Sequence, residues 1–416
     1  MGSCIKLKHF SSSLKNETKI ALVLLFLFIV LFPYCCYARD EGKASLIKRH
    51  ITIYGSSDLL KRDIETIAKH YHIVITEWWK HKDAENLKKL NPNMKIFFYR
   101  DLIGILESYD DWNAVNKNSE WFLKNSDTGA LIKNKDHHWY LMDITNQHYQ
   151  RHVITYINNK LKKYPVFDGV FLDDVVSYLN INKFMNESDK SIPHFENIFI
   201  SSYRDSVKEI LSNLKKEIGS KLIIINSNDE DEFIRFADGI MFEGFVIGSW
   251  QNYVHAAADS EWIRHMNLTN KYLKMNKMVL LQSSTKDKDS EAMQAFLFAF
   301  GSYLLLADER VTFFFEPVAK DKKTYRAYYS NIYASKESKV ESSTDGQSWQ
   351  VSTFSQEYLL KKHIYRRVIR NTFIVLNPTS MSFNIEIPKK YCEQLNEPCT
   401  STITSKRAIL LDSTEH

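Results

Sequence analysis

The sequence predicts an α/β protein: a TIM (β/α)8 barrel followed by a small antiparallel β domain. Two observations carry this. Eight short apolar runs begin near residues 51, 72, 94, 167, 222, 240, 278 and 311, and amphipathic stretches separate most of them. Strands alternating with helices at that spacing mean parallel βαβ units, and eight units over about 265 residues match the ~250 usual for such a barrel. After about residue 320 the helical patterning fades and short apolar runs are broken by Asn377-Pro378, Pro388 and Pro398, the mark of antiparallel strands. A doubly wound open sheet is the alternative; it is weakened because no Gly-x-Gly-x-x-Gly follows the first strand.

Taken in order, Ile51–Tyr54 reads as a strand and Ser57 caps a helical pattern through His70. His72–Thr76 is a strand, Asp83–Leu90 a helix and Met94–Tyr99 a strand after the Asn91-Pro92 turn. Residues 101–140 are irregular and too long for a simple connection, so they are expected to form a loop on the catalytic face. Asn146–Lys163 is helical, Phe167–Asp173 a strand, Phe195–Ile218 a helix ending at Gly219, and Leu222–Asn226 a strand. Glu230–Phe236 is a short helix, Ile240–Glu243 a strand, Trp262–Met275 a helix, Met278–Gln282 a strand, Ser290–Leu306 a helix and Val311–Phe315 a strand. The runs lack polar alternation, as strands buried on both faces should. Beyond them, Arg366–Leu376, Ser382–Ile387 and Ala408–Leu411 read as β structure.

Composition narrows the class. With 44% hydrophobic and 13% aromatic residues the 416-residue chain can bury a sizeable core, which excludes disorder; 12 Gly and 8 Pro exclude collagenous sequence. The formal charge of +5 comes from 55 basic and 50 acidic residues. Residues 1–38 hold Lys6, Lys8, Lys15 and Lys19 against Glu17, so the rest of the chain keeps 51 basic and 49 acidic residues, a balance of +2. That balance gives no reason to expect a nucleic-acid partner. The same segment has an unbroken apolar run, Ile20–Phe32, and ends in Cys36-Tyr37-Ala38. A basic flank, a short apolar stretch and an Ala-ending site describe a signal peptide or, uncleaved, a signal anchor within residues 20–38. The body is thus expected to be secreted or extracytoplasmic, touching a membrane only through that segment. Cys4, Cys35 and Cys36 lie in the leader; Cys392 and Cys399 remain, and an even pair in an exported chain reads as a disulfide. Asn186 and Asn267 head possible glycosylation acceptors. The expected division is a leader (1–38), a barrel (46–320) and a β domain (321–416).

Catalytic side chains of such barrels sit where strands end at the C-terminal face. The polar strand ends here are Glu77, Asp101, Asp143, Asp173, Asn226, Glu243, Gln282 and Glu316. Two stand out because Asp168-Gly-Val-Phe-Leu-Asp173 and Asp238-Gly-Ile-Met-Phe-Glu243 share one template, on the fourth and sixth strands. Strands one neighbour apart lie roughly 9–10 Å from each other, and inward-leaning carboxyls can close to the ~5–9.5 Å that glycosidases use. Asp174 competes with Asp173, since alternate side chains face opposite ways; the register with Glu243 favours Asp173. Trp78, Trp79, Tyr99, Trp112, Trp121, Trp139 and Trp250 are candidate sugar platforms, and Glu77, Asp101, Asp143, Asp174, Asn226, Gln282 and Glu316 candidate sugar ligands.

At these residues the chain resembles the barrel hydrolases of the "hypothetical glycosyl hydrolase" group and is more distantly similar to the endo-α-1,4-polygalactosaminidase family. The resemblance rests on Phe167-Asp-Gly-Val-Phe-Leu-Asp-Asp174, Trp139-Tyr-Leu-Met-Asp-Ile-Thr-Asn146, Ala237-Asp-Gly-Ile-Met-Phe-Glu-Gly244 and the late Val375-Leu-Asn-Pro-Thr379, and covers about residues 50–412. It implies Asp173 as nucleophile and Glu243 as acid/base. Asp174 stands where the galactosaminidases usually show Asn.

The expected activity is therefore hydrolysis of O-glycosidic bonds in a poly- or oligosaccharide, with no cofactor and no metal. Asp173 would be the ionised partner, and Glu243, between Phe242 and Phe245, would hold its proton in an apolar setting. Retention of configuration is the expected outcome. One rival is a catalytically inactive sugar-binding barrel. Another is a metal-dependent polysaccharide deacetylase using His137, His138 and Asp143, disfavoured because adjacent rings diverge.

Overall fold

The eight apolar runs form eight parallel strands of one sheet: β1 (His50–Ile53), β2 (Ile73–Thr76), β3 (Lys95–Asp101), β4 (Gly169–Asp173), β5 (Leu222–Asn226), β6 (Gly239–Glu243), β7 (Met278–Thr285) and β8 (Val311–Pro317). Their spatial order is their chain order, and a parallel bridge from Arg49 to Phe313, with Phe313 N–H donating to Lys48 O at 2.9 Å, brings β8 back to β1. This is the expected barrel. The computed structural model describes residues 47–53, 59–125, 128–133, 138–177, 197–227, 230–247, 259–286, 289–317, 359–361, 364–369, 372–392 and 399–412. The leader, Ser57, His137, Asn186 and Trp250 lie outside them.

Each strand up to β7 is followed by its helix: α1 (Lys61–His70), α2 (His81–Leu90), α3 (Gln147–Lys163), α4 (Asn197–Ile218), the single turn α5 (Glu230–Phe233), α6 (Asp259–Lys274) and α7 (Asp289–Leu306). Helix α3 begins where Asn146 accepts from the backbone N–H of His148 and Tyr149, satisfying donors that a helix start leaves open. Among the described residues no helix is long and apolar enough to cross a membrane.

Alternation along the strands sorts the core. Ile73, Ile75, Phe97, Phe171, Ile224, Met241 and Leu280 point inward and fill the barrel, while their neighbours pack on the helices. The repeated Asp-Gly template is explained at the floor of the barrel. Asp168 accepts from Ile96 N–H at 2.7 Å and from Lys88, and Asp238 accepts from Ile223 N–H at 2.8 Å and from Lys215. Each aspartate thus ties its strand to the preceding one. From the other side Lys221 donates to Phe167 O and Lys277 to Ala237 O, both at 2.5 Å. The glycines are required by close approach: a Cβ on Gly169 would stand 2.0 Å from Leu222 O, and one on Gly239 2.7 Å from Met278 O.

The C-terminal strands form a four-stranded antiparallel sheet of β9 (Leu359–Lys361), β10 (Ile364–Ile369), β11 (Thr372–Asn377) and β14 (Arg407–Asp412), beside the pair β12 (Phe383–Glu386) and β13 (Thr400–Ile403). The run expected as continuous β structure over Arg366–Leu376 is a hairpin. Its two strands pair antiparallel, from Tyr365 with Leu376 to Ile369 with Thr372. On β11, Phe373 and Val375 join the small domain's core, whereas Ile374 and Leu376 join the barrel's. Trp262 of α6 packs against Tyr365 with the rings tilted (4.6 Å between centroids) and donates to Ser302 Oγ of α7. Cys392 and Cys399 form a disulfide, with 5.3 Å between Cα atoms.

The two floor glycines give a graded test. Gly169→Ala should lower unfolding free energy by at least ~2–3 kcal/mol, because the obstacle is backbone. Gly239→Ala should cost less, since its contacts include the side chains of Ile224 and Met278. Denaturant melts of both variants check the order.

Candidate active site

The inward parity that fills the barrel continues at the C-terminal strand ends, where it presents polar side chains: Tyr99 and Asp101 on β3, Asp173 on β4, Asn226 on β5, Glu243 on β6, Gln282 on β7 and Glu316 on β8. Asp101 and Asp173 are direct cross-strand partners. Between β5 and β6 the register pairs Asn226 with Met241, so Glu243 stands two residues further up, a stagger of the kind barrel closure imposes.

That stagger lets one amide reach two acids. Asn226 Nδ2 donates to Asp173 Oδ1 at 2.8 Å and to Glu243 Oε2 at 2.9 Å. Asp173 also receives the Tyr99 hydroxyl on Oδ2 at 2.7 Å and the Asp174 backbone N–H on Oδ1 at 2.9 Å. Three donors converge on it, the arrangement that suits an acceptor-only carboxylate. Asp174 has φ +51°, so the chain turns sharply after the strand. Glu243 is followed by a second tight turn, with Gly244 at φ +92° and Val246 at φ +52°. That turn is pinned: Gly244 and Phe245 N–H donate to Gln282 O, Ser283 Oγ to Phe245 O, and Val246 N–H to His265 Nδ1.

Several expectations change. Glu243 is exposed, not set among apolar groups. Phe242 is buried on the other face, stacking on Tyr272, because a neighbour along a strand faces the other way, and Phe245 is buried in the turn beyond the strand end. Tyr99 holds Asp173 through its hydroxyl, with its ring stacked near Phe171, where a sugar platform was expected. Trp78 is a packing residue: Lys160 Nζ lies 3.3 Å from its ring centroid, and Tyr164 and Trp79 pack against it. Trp112 stacks on Tyr140, and Trp139 covers Gly104. Asp143 Oδ1 accepts from the backbone N–H and the hydroxyl of Thr145, closing the turn before α3.

Glu77 is only 7% exposed, and its charged neighbours are Arg100 and Lys80, so it belongs to the bed beneath the long loop, not to an open sugar subsite. Burial outweighs the two cations and pushes its carboxyl up to about 7. Arg100 was not anticipated. It lies on the outward face of β3, 1% exposed, with both terminal nitrogens on Asp111 at 3.2 Å and its guanidinium between Tyr109 and Tyr156. A charged residue of outward parity in an apolar strand is the signal that could have found it. Through this pair the 101–140 excursion is tied to the barrel wall.

The raised Glu77 value has a signed consequence. The folded state keeps a proton that the unfolded chain loses near 4.5, so Glu77 destabilises progressively as pH rises from about 4.5 to about 7. Glu77→Gln should remove that slope and gain about 3 kcal/mol relative to wild type above neutral pH. Thermal melts across that window measure it.

Solved structures with similar architecture are distant in sequence. The maltogenic alpha-amylase AmyB from Thermotoga neapolitana is 11% identical, over 89% of this chain and 99% of that one, with a TM-score of 0.51, and shares the fold. The glycoside hydrolase domain of PelA from Pseudomonas aeruginosa is 13% identical (67% and 96% covered, TM-score 0.44). Ega3 from Aspergillus fumigatus, solved in complex with galactosamine, is 10% identical (66% and 93%, TM-score 0.40). No curated protein sequence matches the chain. The profile of one family matches residues 88–335, more than half of the chain, spanning β3 to β8 and with them Asp101, Asp173, Asn226 and Glu243. The chain belongs to hypothetical glycosyl hydrolase family 15.

Proposed function

We propose that this glycoside hydrolase is exported through its N-terminal segment and cleaves O-glycosidic bonds of a poly- or oligosaccharide with Asp173 as nucleophile and Glu243 as acid/base. The observation that carries the reading is the Asn226 amide shared by both carboxylates. Two oxygens bonded to one nitrogen lie less than about 6 Å apart, which favours the close spacing of retaining glycosidases (about 5–5.5 Å between carboxyls) over the ~6.5–9.5 Å that leaves room for a water.

In the first step Asp173 attacks the anomeric carbon while Glu243 gives its proton to the departing glycosidic oxygen, leaving a glycosyl ester on Asp173. In the second, Glu243 takes a proton from water, the water oxygen bonds to the anomeric carbon, and Asp173 is released. Tyr99, Asn226 and the Asp174 amide hold the Asp173 carboxylate in its attacking position. The exposure of Glu243 suits a group that must meet both leaving group and water.

A panel of polysaccharides, amino-sugar polymers included, read by reducing-end release, identifies the substrate. On it, Asp173→Ala should abolish turnover while leaving melting behaviour near wild type. Glu243→Gln should lose ~10²–10⁴-fold, yet keep much of its rate on an aryl glycoside whose leaving group needs no proton. Undiminished hydrolysis in both variants would sink the assignment; sugar binding without hydrolysis by wild type would point to a binding barrel.

A further inference from the structure

Asp101 sits beside the proposed nucleophile with a chemistry of its own. Its Oδ1 accepts from two backbone amides, Ile103 N–H at 2.8 Å and Gly104 N–H at 2.7 Å, which fixes the carboxyl at the mouth of the barrel. Among the described residues no group bonds to Oδ2. The residue is the cross-strand partner of Asp173, on the same inward face.

We propose that Asp101 contacts substrate as an uncharged hydrogen-bond donor, offering Oδ2–H to a sugar oxygen next to Asp173. The inference rests on the reading of Asp173 as nucleophile. Neighbouring carboxylates in one site do not both ionise cheaply, and the surroundings decide which keeps the proton. Asp173 collects a hydroxyl, a side-chain amide and a backbone amide over both oxygens. Asp101 has donors on one oxygen alone and is 6% exposed. The titratable groups facing it are Asp173 and Asp174 from the end of β4, Tyr109 from the long loop, Tyr149 from α3 and Tyr203 from α4, all of them acids. Arg100, its chain neighbour, points to the other face and is taken up by Asp111. Burial first, then Asp174 and Asp173, hold the Asp101 carboxyl well above the ordinary carboxylate range. A neutral donor there positions the sugar without adding a second negative charge against the nucleophile.

Asparagine separates this role from that of a charged carboxylate, because its oxygen can keep both backbone bonds while its NH₂ replaces Oδ2–H. Asp101→Asn should keep kcat/KM within a few-fold of wild type on the glycan that wild type hydrolyses and hold activity to higher pH, whereas Asp101→Ala should lose about 10²-fold or more. An Asn variant as impaired as the Ala variant, or an Ala variant as active as wild type, overturns the proposal. A second measurement needs no substrate. The melting temperature of Asp101→Asn minus that of wild type should rise as the pH climbs above the ordinary carboxylate range of about 4, since wild type must retain a proton that its unfolded chain loses. A difference that falls or stays flat shows a charged Asp101 and also overturns it. Asp173→Ala and Glu243→Gln run in parallel: their activity reports on the carboxylate pair, while the melting comparison reports on Asp101 by itself.

Discussion

Everything at the mouth of this barrel depends on the alternation of side chains along eight parallel strands. Phe97, Phe171, Ile224, Met241 and Leu280 fill the interior, and two residues further along each strand the same parity delivers Tyr99, Asp173, Asn226, Glu243 and Gln282. The polar site is thus the next layer of the stack that makes the core. A slip of one residue in any strand would bury its polar end against the helices and push an apolar side chain into the mouth. The floor guards against that: the Asp168 and Asp238 carboxylates bond to the Ile96 and Ile223 amides near the start of the preceding strands, and Gly169 and Gly239 allow the following strands to close in.

Collecting acids in one place costs electrostatic energy, and the site offsets it group by group. Asp173 is surrounded by donors. Asn226 is shared with Glu243, which keeps access to solvent. Asp101 is buried with half of its carboxyl occupied by backbone. Three carboxyls of one site thus sit in three different environments.

The long excursion after β3 is held by a different device. Arg100 spans from the strand to Asp111, flanked by Tyr109 and Tyr156, and His152 of α3 reaches Asp111 at 3.1 Å. A buried pair of this kind is costly to break once formed, because each partner would be left charged and unpaired. It anchors, at Asp111, a segment whose sequence reads as irregular.

The sequence by itself determined the strands, the barrel class and the identity of the polar strand ends, because period and composition are local properties: all eight strand positions were legible. It also marked Asp173 and Glu243 through a repeated template, although the template's first aspartates proved to serve the floor. Only the tertiary structure decided what joins them. The two-residue stagger that puts Asn226 between both carboxylates is a property of barrel closure, not of any one strand. The exposure of Glu243, the engagement of Trp78 by Lys160 and Tyr164, and the removal of Glu77 to the Arg100 side depend on which elements meet. Burial and charge arise from residues far apart in the chain, and no local pattern encodes them.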